Sequence, residues 1–349
     1  MLLRFLRRPS DWKAAHSLGD ENQLIHQAQR HGLSGVVHHQ LHVQSTSLSL
    51  IQQRQLEHDA RSIAAGTLRV KLFLLRALDA LNASQVVPLI LKGYGLAERI
   101  YPDPLLRSMS DVDLLVSGKD LPRAFEALST LKMNRADAEA ERYVREHSHD
   151  LKFWNASGMI ELHCRLFTGM GCTISTEEAL QFVQPAILEN RSVCYLAPEY
   201  EFAYLALHAT SHLFQRLIWL YDLKLFIEVH PSFDWSEVER LGKLWGTSVA
   251  LYTALELAAR YLDAPVPPIV LERMRPKLWQ STFERRYFTE KRLLAAPSGD
   301  HGRQTMALNL LLIDGNLRKI RFGAHHTWHG LRRKLAGRFP NIAPHHWRG

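Results

Sequence analysis

The stretch Asp111-Val112-Asp113-Leu114-Leu115-Val116 decides how the chain is read. Its length and aliphatic content predict a buried strand. Side chains alternate along a strand, so Asp111 and Asp113 share one face while Val112, Leu114 and Val116 take the other. Two carboxylates held side by side repel when half-buried. A divalent cation removes that repulsion, and Mg2+ favours one or two carboxylates together with substrate phosphates. A third acid lies in Met159-Ile-Glu-Leu-His-Cys-Arg165, where Glu161 and His163 share the face opposite Leu162 and Cys164. If the two strands are neighbours, Asp111, Asp113 and Glu161 form a three-carboxylate site. Such a site can hold two metals for in-line phosphoryl or nucleotidyl transfer. Taken alone, the acid pair is a weak signal, because paired acids also occur at solvated strand ends.

Upstream, Val86–Leu91 is an apolar run of strand length, followed by Lys92-Gly-Tyr-Gly95 and a short helix over about 96–101. Glycines before a helix let backbone N–H groups approach an anion, so this turn is a candidate phosphate cradle. Neither GxxxxGK[ST] nor GxGxxG is present. The loop Pro102–Ser110 carries Arg107, four residues before Asp111, whose guanidinium could clamp a phosphate bidentately or pair with Asp103 or solvent. A helix over Leu121–Leu131 and two strands, His149–Trp154 and Met159–Leu166, joined by the hairpin-like Asn155-Ala-Ser-Gly158, complete an α+β unit.

Helical patterns flank this unit on both sides. The organisation expected is a helical region over 1–82, the α+β core over 83–197, a helical domain over 198–270 and a basic segment over 271–349. A single helix over 200–229 would set His208, His212, Gln215, Trp219 and Asp222 along one face. That stripe either lines the cleft opposite the carboxylates or is structural, with Asp222 pairing one histidine. A zinc site on His208 and His212 lacks a third ligand and the HExxH pattern. Ser236 is the expected N-cap of the next helix. Cys164, Cys172 and Cys194 form no CxxC pair and carry no catalytic signature, and Cys164 is expected in the core.

The 349 residues carry a net charge of +8, unevenly spread. Residues 271–349 hold 16 Lys+Arg and 5 Asp+Glu, a net +11, and the rest is at −3. The basicity therefore bears on what the C-terminal segment touches: RNA, an acidic protein or an anionic membrane surface. Its clusters are Arg285-Arg286, Lys291-Arg292, Arg318-Lys-Ile-Arg321 and Arg332-Arg-Lys334, with His325, His326, Trp328 and Trp347 interleaved. No run approaches the roughly 18–20 apolar residues of a membrane helix, and no signal-peptide h-region is visible, so a cytoplasmic location is expected.

Several of these motifs carry a resemblance. Leu91-Lys-Gly-Tyr-Gly-Leu-Ala-Glu-Arg-Ile-Tyr101, Leu106-Arg-Ser-Met-Ser-Asp-Val-Asp-Leu-Leu-Val116 and Ile160-Glu-Leu-His163 resemble the uncharacterised bacterial nucleotidyltransferase family of the DNA polymerase β-type superfamily. The likeness continues through His208-Ala-Thr-Ser-His212, Trp219-Leu-Tyr-Asp222 and Asp234-Trp235, covering about residues 20–265. It implies an α+β fold with a mixed-sheet nucleotidyltransferase core, an N-terminal helical cap and a C-terminal helical region. Asp111, Asp113 and Glu161 would be the catalytic and metal-binding residues, with Glu161 a base toward the acceptor. The nucleotide-binding candidates are Lys92, Gly93, Tyr94, Arg107, His163 and His212. Lys92-Gly93 stands where other superfamily members carry Gly-Ser, a departure that bears on the triphosphate contacts.

The function expected is transfer of NMP from an NTP such as ATP to an acceptor hydroxyl, with Mg2+ or Mn2+ as cofactor. The acceptor is a protein, peptide, small molecule or RNA. The alternative is a non-catalytic nucleotide- or RNA-binding module that uses the basic C-terminal segment.

Overall fold

A computed structural model describes residues 1–13, 17–135, 150–295, 301–320 and 322–324. The chain opens with helices α1 (Leu2–Arg7), α2 (Leu18–His31), α3 (Ser34–Val43) and α4 (Leu50–Ala83). Ser17 and Asp20 form a reciprocal capping box at the start of α2, and Gly32 ends it in the left-handed conformation. The 34 residues of α4 span roughly 50 Å at 1.5 Å per residue. Its stripe of Val70, Phe73, Leu74, Ala77, Leu78 and Leu81 is buried against the sheet. Each fully buried leucine in that stripe contributes about 1.5–3 kcal/mol.

The core follows: β1 (Leu89–Ile90), α5 (Gly93–Ile100), β2 (Val112–Leu115), α6 (Leu121–Ser129), β3 (Asn134–Arg135), β4 (Asp150–Asn155), β5 (Gly158–His163), β6 (Arg165–Gly169), β7 (Cys172–Ser175), β8 (Val183–Leu188) and β9 (Arg191–Leu196). Seven strands form one mixed sheet in the order β3-β4-β5-β2-β1-β9-β8, and β6-β7 form a separate pair. β2 runs parallel to β5 and antiparallel to β1, while β9 lies parallel to β1. This is the mixed-sheet α+β architecture expected, with helices before and after it.

The sheet has two differently used faces. Val112, Leu114, Val116, Ile160 and Leu162 join Ile90 and Phe153 in a core beneath α4 and α6. Leu89, Leu91 and Leu115 point the other way, into a larger core that runs from Leu2 to Phe322. Asp113, Glu161 and His163 lie on this second face by strand alternation. The helix Pro198–Ser211 covers it, with Phe202, Ala206, Leu207 and Ala209 fully buried.

Several local expectations are corrected. The strand expected over 159–166 ends at His163, and Arg165 starts the separate β6-β7 ladder. Cys164 at that break is half-buried and not a core residue. The helix expected from about 96 begins at Gly93, and the N-cap near 236 is Asp234, whose carboxylate accepts from the Ser236 N–H. The single helix expected over 200–229 is two helices, Pro198–Ser211 and Leu217–Val229. Between them Leu213 and Phe214 have φ of 52° and 53°. Left-handed backbone costs roughly 1–2 kcal/mol at each such residue. Burial of the Phe214 ring against Phe288 offsets that cost.

Candidate active site

The parallel pairing of β2 with β5 sets Asp113 directly beside Glu161. Two register pairs further on, His163 brings Nε2 to 3.1 Å from Asp113 Oδ1. One atom each from Asp113, Glu161 and His163 lies within 4.8 Å of the others. Lys92, the residue before α5, places Nζ 3.0 Å from the same Asp113 Oδ1. Both contacts converge on Oδ1. The antiparallel β4-β5 hairpin sets Lys152 opposite Glu161, and their side chains meet at 3.0 Å.

Electrostatics divide the three acids. Burial disfavours the Asp113 charge, but the Lys92 ammonium and the His163 hydrogen bond outweigh it and hold this carboxyl below the usual range. An ionised Asp113 can only accept, so His163 Nε2 is the donor. Burial, followed by repulsion from Asp113, raises the Asp111 carboxyl. The same two causes push Glu161 up to about 7 against the pull of Lys152. Lys92 stays charged: its burial is outweighed by Asp113, with Tyr204, Asp111 and Glu161 adding to the effect. Three carboxylates therefore face two ammonium groups on one side of the sheet. That oxygen-rich, negatively biased donor set fits a hard divalent cation.

Asp111 precedes β2 and is half-buried, outside the closest trio but near enough to raise the carboxyl of Glu161. Gly93 has φ of 62°, which favours glycine, and its backbone runs beside the carbonyl of Asp111. The Tyr94 ring packs into the core under α4, with Lys71 over its face, leaving its backbone on the turn. His212 is exposed beside Trp219 and His208, with ring centroids 4.8–5.2 Å apart across the trio. Desolvation and then the Lys92 charge push its imidazole down to about 4. It is neutral at neutral pH.

Arg107 donates from Nε to Asp222 Oδ1 at 3.0 Å and from Nη2 to Oδ2 at 2.8 Å, and Tyr101 donates to the same carboxylate at 2.7 Å. Asp222 thus serves Arg107 and Tyr101, correcting the expectation that it pairs with a histidine. In this arrangement Arg107 spends its fork on Asp222 and fixes the loop that leads into Asp111. Thr67 of α4 secures the same loop through the Arg107 carbonyl at 2.7 Å. Arg99 forms a matching bidentate pair with Glu201, which fastens α5 to the helix Pro198–Ser211.

Three residues of this neighbourhood were not singled out in the sequence: Lys152, Tyr204 and Arg216. Lys152 was within reach, because the hairpin turn at 155–158 fixes its register against Glu161. Tyr204, fully buried, lies close enough for the Lys92 charge to oppose its burial-driven rise in pKa. Arg216 sits at the start of the helix Leu217–Val229, near Asp111 and Arg107.

The basic clusters Arg285-Arg286 and Lys291-Arg292 are exposed. Arg321, His325, His326, Trp328, Arg332-Arg-Lys334 and Trp347 lie outside the described residues. Among the described residues no helix is long and apolar enough to cross a membrane.

Comparison with known proteins adds three findings. No curated protein matches the chain. A solution structure of the antibiotic-resistance factor ANT(2'')-Ia is similar over 64% of this chain and 94% of that one, at 14% identity and a TM-score of 0.32. The sequence model of a family described as uncharacterised nucleotidyltransferase matches residues 17–263, a span that contains α2 to β9 and every acid and lysine of the site. The chain belongs to this uncharacterised nucleotidyltransferase family.

Proposed function

We propose that the protein is a Mg2+-dependent enzyme that transfers NMP from an NTP to an acceptor hydroxyl and releases pyrophosphate. The observation that carries this reading is the register pair Asp113–Glu161, with Lys92 and His163 converging on Asp113. Asp113 and Glu161, with Asp111 beside them, would hold Mg2+, or Mn2+ in its place. Such an ion, when bound, neutralises charge on the transferring phosphoryl group and orients it for in-line displacement.

The chain's own groups supply the rest. Lys92 holds Asp113 ionised and would place its ammonium beside an incoming phosphate. His163 donates to Asp113 and fixes that carboxylate's orientation. Glu161 is the base toward the acceptor hydroxyl; its carboxyl, raised to about 7 by burial and the Asp113 charge, would be lowered again by a bound cation. The Gly93 turn offers backbone N–H groups, and the His212–Trp219 wall offers aromatic faces to a base or acceptor.

Calorimetric titration of ATP, with and without Mg2+, tests this. Mg2+-dependent binding by the wild type that disappears in a folded Asp113→Asn variant supports the enzyme. Metal-independent, salt-sensitive RNA binding that survives the substitution supports the non-catalytic module instead.

A further inference from the structure

Three arginines are buried or largely buried around the cleft, and two of them have bidentate carboxylate partners: Arg99 with Glu201 and Arg107 with Asp222. Arg216 differs. Among the described residues no carboxylate lies within ion-pair distance of it, and its one side-chain hydrogen bond is a long 3.5 Å contact from Nη2 to Ser108 Oγ. Burial and the neighbouring Arg107 charge both work against its protonated form. The Asp111 and Asp222 charges favour it only from beyond ion-pair distance. A guanidinium largely removed from water with no counter-charge in contact is costly, so its position needs a cause.

Several features of the fold hold it there. The left-handed pair Leu213-Phe214 turns the chain so that Arg216 precedes the helix Leu217–Val229. The Leu217 N–H donates to His31 Nδ1 at 3.3 Å, tying that helix start to the end of α2. The guanidinium then lies across Gly32, the left-handed residue that ends α2. A Cβ at position 32 would come within 2.6 Å of Arg216 Nη2 and 3.2 Å of Ser108 Cβ. Glycine is favoured at this position by its φ of 71°, and its bare Cα leaves the space the arginine lies across. Ser108 belongs to the loop between Arg107 and Asp111, and the Asp111 charge acts on Arg216, so this cation lies beside the carboxylate cluster.

We propose that Arg216, with Ser108 beside it, is a phosphate-binding residue of the cleft and takes the polyphosphate of the nucleotide. The planar fork matches a phosphate bidentately, and the weak Ser108 contact is readily exchanged for one. This assignment rests on the reading that the cleft admits an NTP.

The test uses the full chain and inorganic tripolyphosphate with Mg2+, followed by calorimetry. Arg216→Gln is expected to weaken tripolyphosphate binding tenfold or more, and Arg216→Lys to fall between the two. The melting temperature of ligand-free Arg216→Gln is expected to equal or exceed that of wild type, because an unpaired cation has been removed. Wild-type affinity in Arg216→Gln, or no tripolyphosphate binding by the wild type, overturns the assignment. So does a lower melting temperature with unchanged affinity. A readout independent of any variant is protection of wild-type Arg216 from phenylglyoxal by tripolyphosphate, measured by mass spectrometry, and its absence also overturns the assignment. Mg2+-dependent ATP binding lost in Asp113→Asn but intact in Arg216→Gln defeats this inference alone. Arg216-dependent tripolyphosphate binding without any nucleotidyl transfer defeats the transferase reading and leaves the phosphate site standing.

Discussion

Asp222→Asn separates an architectural Arg107 from a phosphate-binding one. Arg107 and Asp222 have side-chain exposures of 6% and 3%, and two hydrogen bonds of 3.0 and 2.8 Å join them. Asparagine keeps the shape, but its amide turns a donor toward one guanidinium N–H and leaves the cation uncompensated. Removing one partner of a buried pair costs about 3–5 kcal/mol. At the roughly 2–4 °C per kcal/mol of larger domains, the melting temperature should fall by about 6–20 °C. The Tyr101 hydroxyl donates to the same carboxylate and would be strained as well. Differential scanning fluorimetry measures the fall. Replacing both partners by apolar residues, Arg107→Met with Asp222→Leu, should recover most of it, because two desolvated charges disappear together. An Asp222→Asn variant with wild-type melting and selectively weakened ATP binding would refute this reasoning and return Arg107 to the phosphates.

Other outcomes follow from particular contacts. Glu284, buried beside Glu256 and held by Arg260 at 2.9 Å, has its carboxyl pushed up to about 8 by burial and then by the Glu256 charge. A raised folded-state pKa means stability is lost as pH climbs from the ordinary carboxylate range through 8, so Glu284→Gln should melt higher than wild type at pH 9, by roughly 3 °C or more. His31 behaves oppositely: burial and then the Arg30 charge push it down to about 4, so its contribution is complete above pH 6.5 and lost as pH falls toward 4. His31→Asn, which retains an acceptor for the Leu217 N–H, should flatten the melting profile between pH 6.5 and 4. Gly35→Ala would bring a Cβ to 2.8 Å from the Leu106 carbonyl oxygen, and should cost about 1–3 kcal/mol by displacing the turn ahead of Arg107, measured by urea denaturation.

Much of the site's frame was legible because strand alternation is a strict rule. It put Val112, Leu114 and Val116 on one face and Asp113 on the other, and pointed to Glu161 and His163 as a pair. The Asn155–Gly158 turn even contained the Lys152–Glu161 pairing, since a hairpin fixes its register. What stayed hidden depends on contacts distant in sequence. Nothing local announces that Asp222 will meet Arg107, which is 115 positions away. The break at 212–216 was illegible for a different reason. Leu213 and Phe214 continue the helical apolar pattern and include no glycine or proline, so only burial of Phe214 on Phe288 makes their left-handed backbone tenable. The split at Cys164 similarly interrupts a run whose composition reads as one strand.

Parallel incubations with ATP labelled at the α- or the γ-phosphate test the central claim most directly. Each contains Mg2+, the purified protein and a cell extract that supplies acceptors, and acid-stable incorporation is followed. The account predicts that α-label is incorporated, γ-label is not, and α-incorporation is abolished in folded Asp113→Asn and Glu161→Gln. Incorporation of γ-label, or α-incorporation undiminished in both variants, would contradict it.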